Sequence, residues 1–138
     1  MQRVIKFRGK AIGGGKTSAN WVYGGGCFTV NGHAFIIPEN MSPKFTGKDY
    51  HEAKAIAVCY LCQFTGVYDK NNKEIYESDV VRMHGNERHT FIVEWDERHA
   101  QFLSKGIQAE ERIMLNGIAP SGSVEIIGNI YDNPELLK

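Results

Sequence analysis

Along much of the chain hydrophobic and polar positions alternate with a period of two, the repeat of a strand buried on one side. Between Arg3 and Arg8, Ile5 and Phe7 fall on one side while Lys6 and Arg8 fall on the other. Trp21-Val22-Tyr23 reads as a short strand that Gly24-Gly25-Gly26 brings to an end. Cys27–Val30 and His33–Ile37 flank Asn31-Gly32, the type I′ turn signal, and predict a hairpin closed by Pro38. Asp79–Met83 is a further strand. His89, Phe91, Val93 and Trp95 then alternate with Thr90, Ile92 and Glu94. A turn over Asp96–His99 returns the chain through Gln101-Phe102-Leu103, and Ser123–Tyr131 places Val124, Ile126 and Ile130 on one face.

Other segments carry weaker periodicity. Ala11–Asn20, with Gly13-Gly14-Gly15, predicts a flexible surface loop, and Glu39–Lys48, with Pro43, predicts another. Asp49 and Glu52 have capping-box spacing, which favours a helical turn or two. From Val58 onward the β-branched and aromatic content favours a strand running into Phe64. Ser104–Ser123 is irregular: Gln108–Leu115 fits a helical turn or a strand, and turns are expected at Gly85-Asn86 and Pro120-Ser121-Gly122. Pro134 opens a terminal helical turn. Short strands separated by Gly and Asn turns predict a mainly β protein, a barrel or sandwich rather than βαβ units. The run from Asp79 to Tyr131 is similar to a small SH3-like barrel, an analogy of fold that carries no function. The expected plan is an N-terminal β lobe with glycine-rich loops over residues 1–62 and a C-terminal SH3-like barrel over 63–138, sharing one core.

The centre of the chain joins these halves. Gln63-Phe64-Thr65 ends a strand, Asp69-Lys70-Asn71-Asn72 forms a turn, Ile75 and Tyr76 anchor the return, and Val80-Val81 opens the next strand. Asp and Asn suit the turn because their side chains bond nearby backbone and tolerate left-handed dihedrals. This stretch, with Ile5-Lys6-Phe7-Arg8 at one end and Ile126-Ile127-Gly128-Asn129-Ile130-Tyr131-Asp132-Asn133-Pro134-Glu135-Leu136-Leu137 at the other, resembles the YopX family. Two positions depart from that pattern: Ser78 and Asn72 stand where the family usually has Gly. The resemblance implies a fold and a phage or prophage origin. It brings no catalytic residue, cofactor or assigned activity.

Composition narrows the function classes. At 138 residues, with 42% apolar and 23% charged positions, the chain suits one domain or two small lobes that need no disulfide or metal to fold. Sixteen basic residues balance sixteen acidic ones, so the whole molecule does not adhere electrostatically to nucleic acid or anionic lipid, although a local basic patch is compatible with that balance. The longest apolar run, Ala55–Cys62, is far short of a membrane span, and no secretory signal is expected at the start. With three cysteines, an odd number, the expectation is a cytoplasmic protein with reduced thiols.

Candidate chemistry is sparse. Cys59-Tyr60-Leu61-Cys62 has the spacing of a zinc half-site or redox pair, and His84 and His89 would complete a ligand set; yet Tyr-Leu is apolar and no second pair exists, so buried core thiols are the preferred reading. Gly13-Gly14-Gly15-Lys16-Thr17-Ser18 contains Gly-Lys-Thr, but Lys10 stands where a phosphate loop needs its first Gly. His84, His89 and His99 lie near Glu87, Glu94, Asp96 and Glu97 without a metal-binding spacing, so a metal-dependent hydrolase has little support and a solvated face is preferred. No cofactor is expected.

Lys6, Arg8, Lys10 and Lys16 make the start locally basic, with Trp21 and Tyr23 close behind. Phosphate attraction combined with base stacking is how single-strand grooves work, so Lys6, Arg8, Lys10, Trp21 and Tyr23 form a candidate nucleic-acid surface. The plainer reading is a wet strand face. The leading expectation for function is non-enzymatic: a phage or prophage accessory protein that acts by binding, through self-association at exposed strand edges and aromatics, or with a protein or nucleic-acid partner.

Overall fold

The computed structural model describes residues 4–13, 16–39, 55–83, 89–108, 111–115 and 124–138. It divides into two units, Met1–Gln63 and Phe64–Lys138, and the architecture is mainly β, with two antiparallel sheets.

The first unit contains β1 (Phe7–Gly13), β2 (Lys16–Gly24), β3 (Gly26–Val30), β4 (His33–Ile37) and the opening part of β5 (Ile56–Tyr68), in the spatial order β2-β1-β5-β4-β3. The hairpin predicted at Asn31-Gly32 is present: both turn residues have positive φ, 50° and 80°, as a type I′ turn requires, and Val30 pairs with His33 across it. The loop expected over Ala11–Asn20 is instead largely strand. Ile12 pairs with Thr17 and Gly13 with Lys16, continuing the ladder that sets Lys10 against Trp21. The register shifts between Lys10 and Ile12, which blurs the alternation that would have marked a strand.

Gly24 ends β2 at a close backbone approach. A Cβ there would collide with the Ile37 carbonyl oxygen, and the Glu39 amide donates to the Tyr23 carbonyl at 2.9 Å. The end of β2 is thereby brought against the end of β4, although no ladder joins these two strands among the described residues. Ile36, Val58 and Cys62 are buried in this unit.

In β5, Arg8 opposes Cys62 while Lys10 opposes Cys59, so the strand carries an extra residue between them. Tyr60 absorbs it with φ 54°. The helical turn expected from Asp49 up to the strand at Val58 lies mostly outside the described residues, but its end, Ile56 and Ala57, is strand instead, paired with β4, and β5 runs past Thr65 to Tyr68.

In the second unit the far end of β5 pairs with β6 (Glu74–Tyr76) around the predicted turn. Asp69 builds that turn: its carboxylate accepts from the amides of Asn71 (2.8 Å), Lys73 (2.9 Å) and Ile126 (3.1 Å), and Asn72 takes φ 65°. A second sheet follows, of β7 (Asp79–Met83), β8 (Thr90–Asp96), β9 (Gln101–Gly106), β10 (Arg112–Met114) and β11 (Val124–Asn129), ordered β10-β9-β8-β7-β11. No closed barrel is found among the described residues. Ile75, Val81, Phe91, Val93, Leu115 and Val124 make its core.

Two segments are more regular than the sequence suggests. β9 runs to Gly106, and the segment 112–114 takes the strand option rather than the helical one. In β11 the register slips between Ile126 and Gly128, and Ile130 falls in the turn beyond the strand. Pro134 opens a 3-10 turn, as expected. The turns expected at Gly85-Asn86 and Pro120-Ser121-Gly122 lie outside the described residues. No helix among the described residues is long and apolar enough to cross a membrane.

Candidate binding surfaces of the first sheet

The β1–β2 ladder sets Arg8 opposite Tyr23 and Lys10 opposite Trp21, and side chains two apart on a strand share a face. Four of the residues singled out in the sequence are therefore gathered on one face. Their environments differ from those of an open groove. Arg8 is buried, 6% exposed, and its guanidinium carbon lies 4.6 Å from the centre of the Trp21 ring; the Lys10 ammonium is 5.5 Å from the same centre. Both are within cation–π range, so the ring is held by charge on its own sheet. Lys6, just before β1, has its ammonium 2.7 Å from the Glu39 carboxylate. A cleft of about 310 Å³ is lined by Trp21, Val22, Tyr23, Pro38, Glu39 and Ile56. It is aromatic, and its one acidic lining residue, Glu39, is the carboxylate that Lys6 pairs with.

Sequence reasoning missed a second surface. The two-residue turn makes Val30–His33 a hydrogen-bonded pair, and alternation assigns the same kind to Phe28–Phe35 and Gly26–Ile37. The N–H and C=O groups of Cys27 and Thr29 consequently point away from β4, and no strand pairs with that side of β3 among the described residues. Phe28 and Val30 are exposed, and Phe28 stacks on Phe35 with centroids 5.1 Å apart and planes 12° apart. Burial raises the pKa of the neighbouring Cys27 thiol, keeping it protonated. The available signal was compositional: no Asp, Glu, Lys or Arg occurs between Val22 and Pro38, whereas edge strands commonly carry a charge or a proline against unwanted pairing.

Among the described residues the remaining candidates form no metal-holding group. The bulge at Tyr60 lies between Cys59 and Cys62; the Cys62 thiol donates to the Tyr60 carbonyl at 3.2 Å, and Cys59 Sγ lies 3.5 Å from Thr17 Oγ1. No group of three or more His, Cys, Asp or Glu side chains is placed to hold a metal among the described residues. His84 and Glu87 lie outside them. His89 is exposed, its ring edge-on to Phe91. His99 Nδ1 is 2.6 Å from Asp96 Oδ2, and this hydrogen bond lowers the Asp96 pKa against the opposing effect of desolvation, with a lesser contribution from the Arg98 amide. Lys16-Thr17 follows a strand but enters another strand, whereas a phosphate loop leads into a helix.

Comparison with known proteins bears on the chain as a whole. The family model described as YopX protein matches residues 26–138. Among curated proteins, no sequence matches this chain. Among solved structures, the crystal structure of protein EF1440 from Enterococcus faecalis is similar, with a TM-score of 0.51 and 19% sequence identity over 99% of this chain and 100% of that one. At that identity the likeness concerns fold.

Proposed function

The chain belongs to the YopX family, and from that premise we propose that it is a non-enzymatic accessory protein of phage or prophage origin, acting in the cytoplasm by binding, foremost to further copies of itself. The observation that carries this reading is the outer edge of β3: uncharged, bearing exposed Phe28 and Val30, and with backbone groups at Cys27 and Thr29 that no strand among the described residues pairs with. Trp21 and Tyr23 are half-buried and carry less of the argument than the β3 edge does. For the second sheet we propose an SH3-like plan left open between β10 and β11, because its last strand pairs with its first and the others follow in sequence. Light scattering at tens of micromolar tests the self-association. A mass above the 15.5 kDa of one chain is expected, and a clean monomer mass overturns it.

A second reading, nucleic-acid binding on the β1–β2 face, is favoured by the alignment of Arg8 and Lys10 against Tyr23 and Trp21. Because Arg8 is buried, the informative variant pairs Lys10→Glu with Lys16→Glu, which spares the core. Anisotropy of labelled single- and double-stranded DNA and RNA should show salt-sensitive binding that this variant loses. Equal binding by variant and wild type rules the surface out.

A further inference from the structure

The backbone of β3 restricts how a second copy can dock on it. We infer that β3 pairs antiparallel with β3 of a second copy about a two-fold axis at Phe28, an inference that rests on the self-association reading above. Only Cys27 and Thr29 direct their N–H and C=O groups outward from this strand, by the alternation of hydrogen-bonded pairs set at the Asn31-Gly32 turn. An isologous contact must match a strand with itself reversed. Centring the axis on Phe28 sets Cys27 opposite Thr29 of the second copy, and Thr29 opposite its Cys27. Every outward group of both residues then finds a partner. An axis at Cys27 or at Thr29 leaves the other residue's outward groups without one inside the strand.

Side chains and charge agree with this register. Phe28 meets its own copy at a non-hydrogen-bonded position, where side chains lie closest. Its ring already stacks on Phe35, so the contact joins two stacked pairs into one aromatic row across the axis. With no Asp, Glu, Lys or Arg between Val22 and Pro38, no like charges oppose each other there. A five-residue edge provides less than the ~1,200 Å² buried in a standard stable interface. The dimer is accordingly weak, and its population rises with concentration.

Disulfide trapping tests the register. In a Cys27→Ser background, Phe28→Cys is oxidised beside Val30→Cys. Facing positions about 4.5 Å apart at Cα are within disulfide reach, whereas position 30 faces position 26 of the second copy. The expected result is a covalent dimer from Phe28→Cys and little from Val30→Cys. Phe28→Lys, at a partly exposed position that tolerates charge, should restore the monomer mass while the circular dichroism of the fold is kept. If wild type scatters as an oligomer yet Phe28→Cys fails to cross-link, or Val30→Cys cross-links equally, the register is wrong and self-association stands. If wild type is monomeric, both fall.

Discussion

The guanidinium of Arg8 lies 4.6 Å from the centre of the Trp21 ring, and Arg8 is buried. A cation placed there serves the sheet first. Arg8→Ala should lower stability by about 1–3 kcal/mol, through lost packing and the lost ring contact. Lys10→Ala, half-buried and farther from the ring, should cost less than ~1 kcal/mol. Urea denaturation of the two variants distinguishes this from a surface arginine, for which the two losses would be equally small.

Ser78 adopts φ 72°, a left-handed conformation costly for a side chain with a Cβ. The backbone is pinned on both sides, since the Ser78 amide donates to Val93 O at 2.7 Å and its carbonyl accepts from Ile130 N at 3.0 Å. Ser78→Gly should therefore stabilise by about 0.5–1 kcal/mol after the added freedom of the unfolded chain is subtracted. Asn72→Gly should give less, because Asn tolerates φ 65° better. Thermal unfolding of both variants checks the order.

At Gly24 the expected effect has the opposite sign. The added methyl of Gly24→Ala meets the Ile37 carbonyl and the Ile36 side chain, neither of which is a flexible chain end. A loss of about 1–3 kcal/mol is expected. If the melting temperature is unchanged, the contact between the ends of β2 and β4 is not the one described.

Asp96 should titrate below the usual carboxylate range, because His99 and the Arg98 amide hydrogen-bond its charged form. A folded pKa below the unfolded one adds stability above the unfolded value, and that contribution is lost as pH falls through the folded value. His99 is exposed and solvent screens its side of the pair, so the effect on overall stability is slight and the titration itself is the readout. Carboxyl NMR should show the midpoint rising in His99→Ala.

Much of the fold is legible in local chemistry. Asn31-Gly32, Asp69 with Asn72, and Pro134 each specify a turn through their own dihedral preferences, and each turn is present. What the sequence conceals is set by distant partners. Ala11–Asn20 reads as a loop because its strand character depends on pairing across a bulge. Arg8 reads as a wet-face residue because alternation gives no register with Trp21 or Cys62. The β3 edge was hidden for a related reason: a hairpin strand is recognisable locally, but whether its outer side meets a neighbour depends on the order of the whole sheet.

The central claim, that β3 is a pairing edge, is tested most directly by amide hydrogen exchange at Cys27 and Thr29, resolved by NMR at dilute and at concentrated protein. Self-association through β3 predicts that both amides become protected as concentration rises, while Phe28, already bonded to β4, changes little. Rapid exchange at Cys27 and Thr29 at every concentration would contradict it.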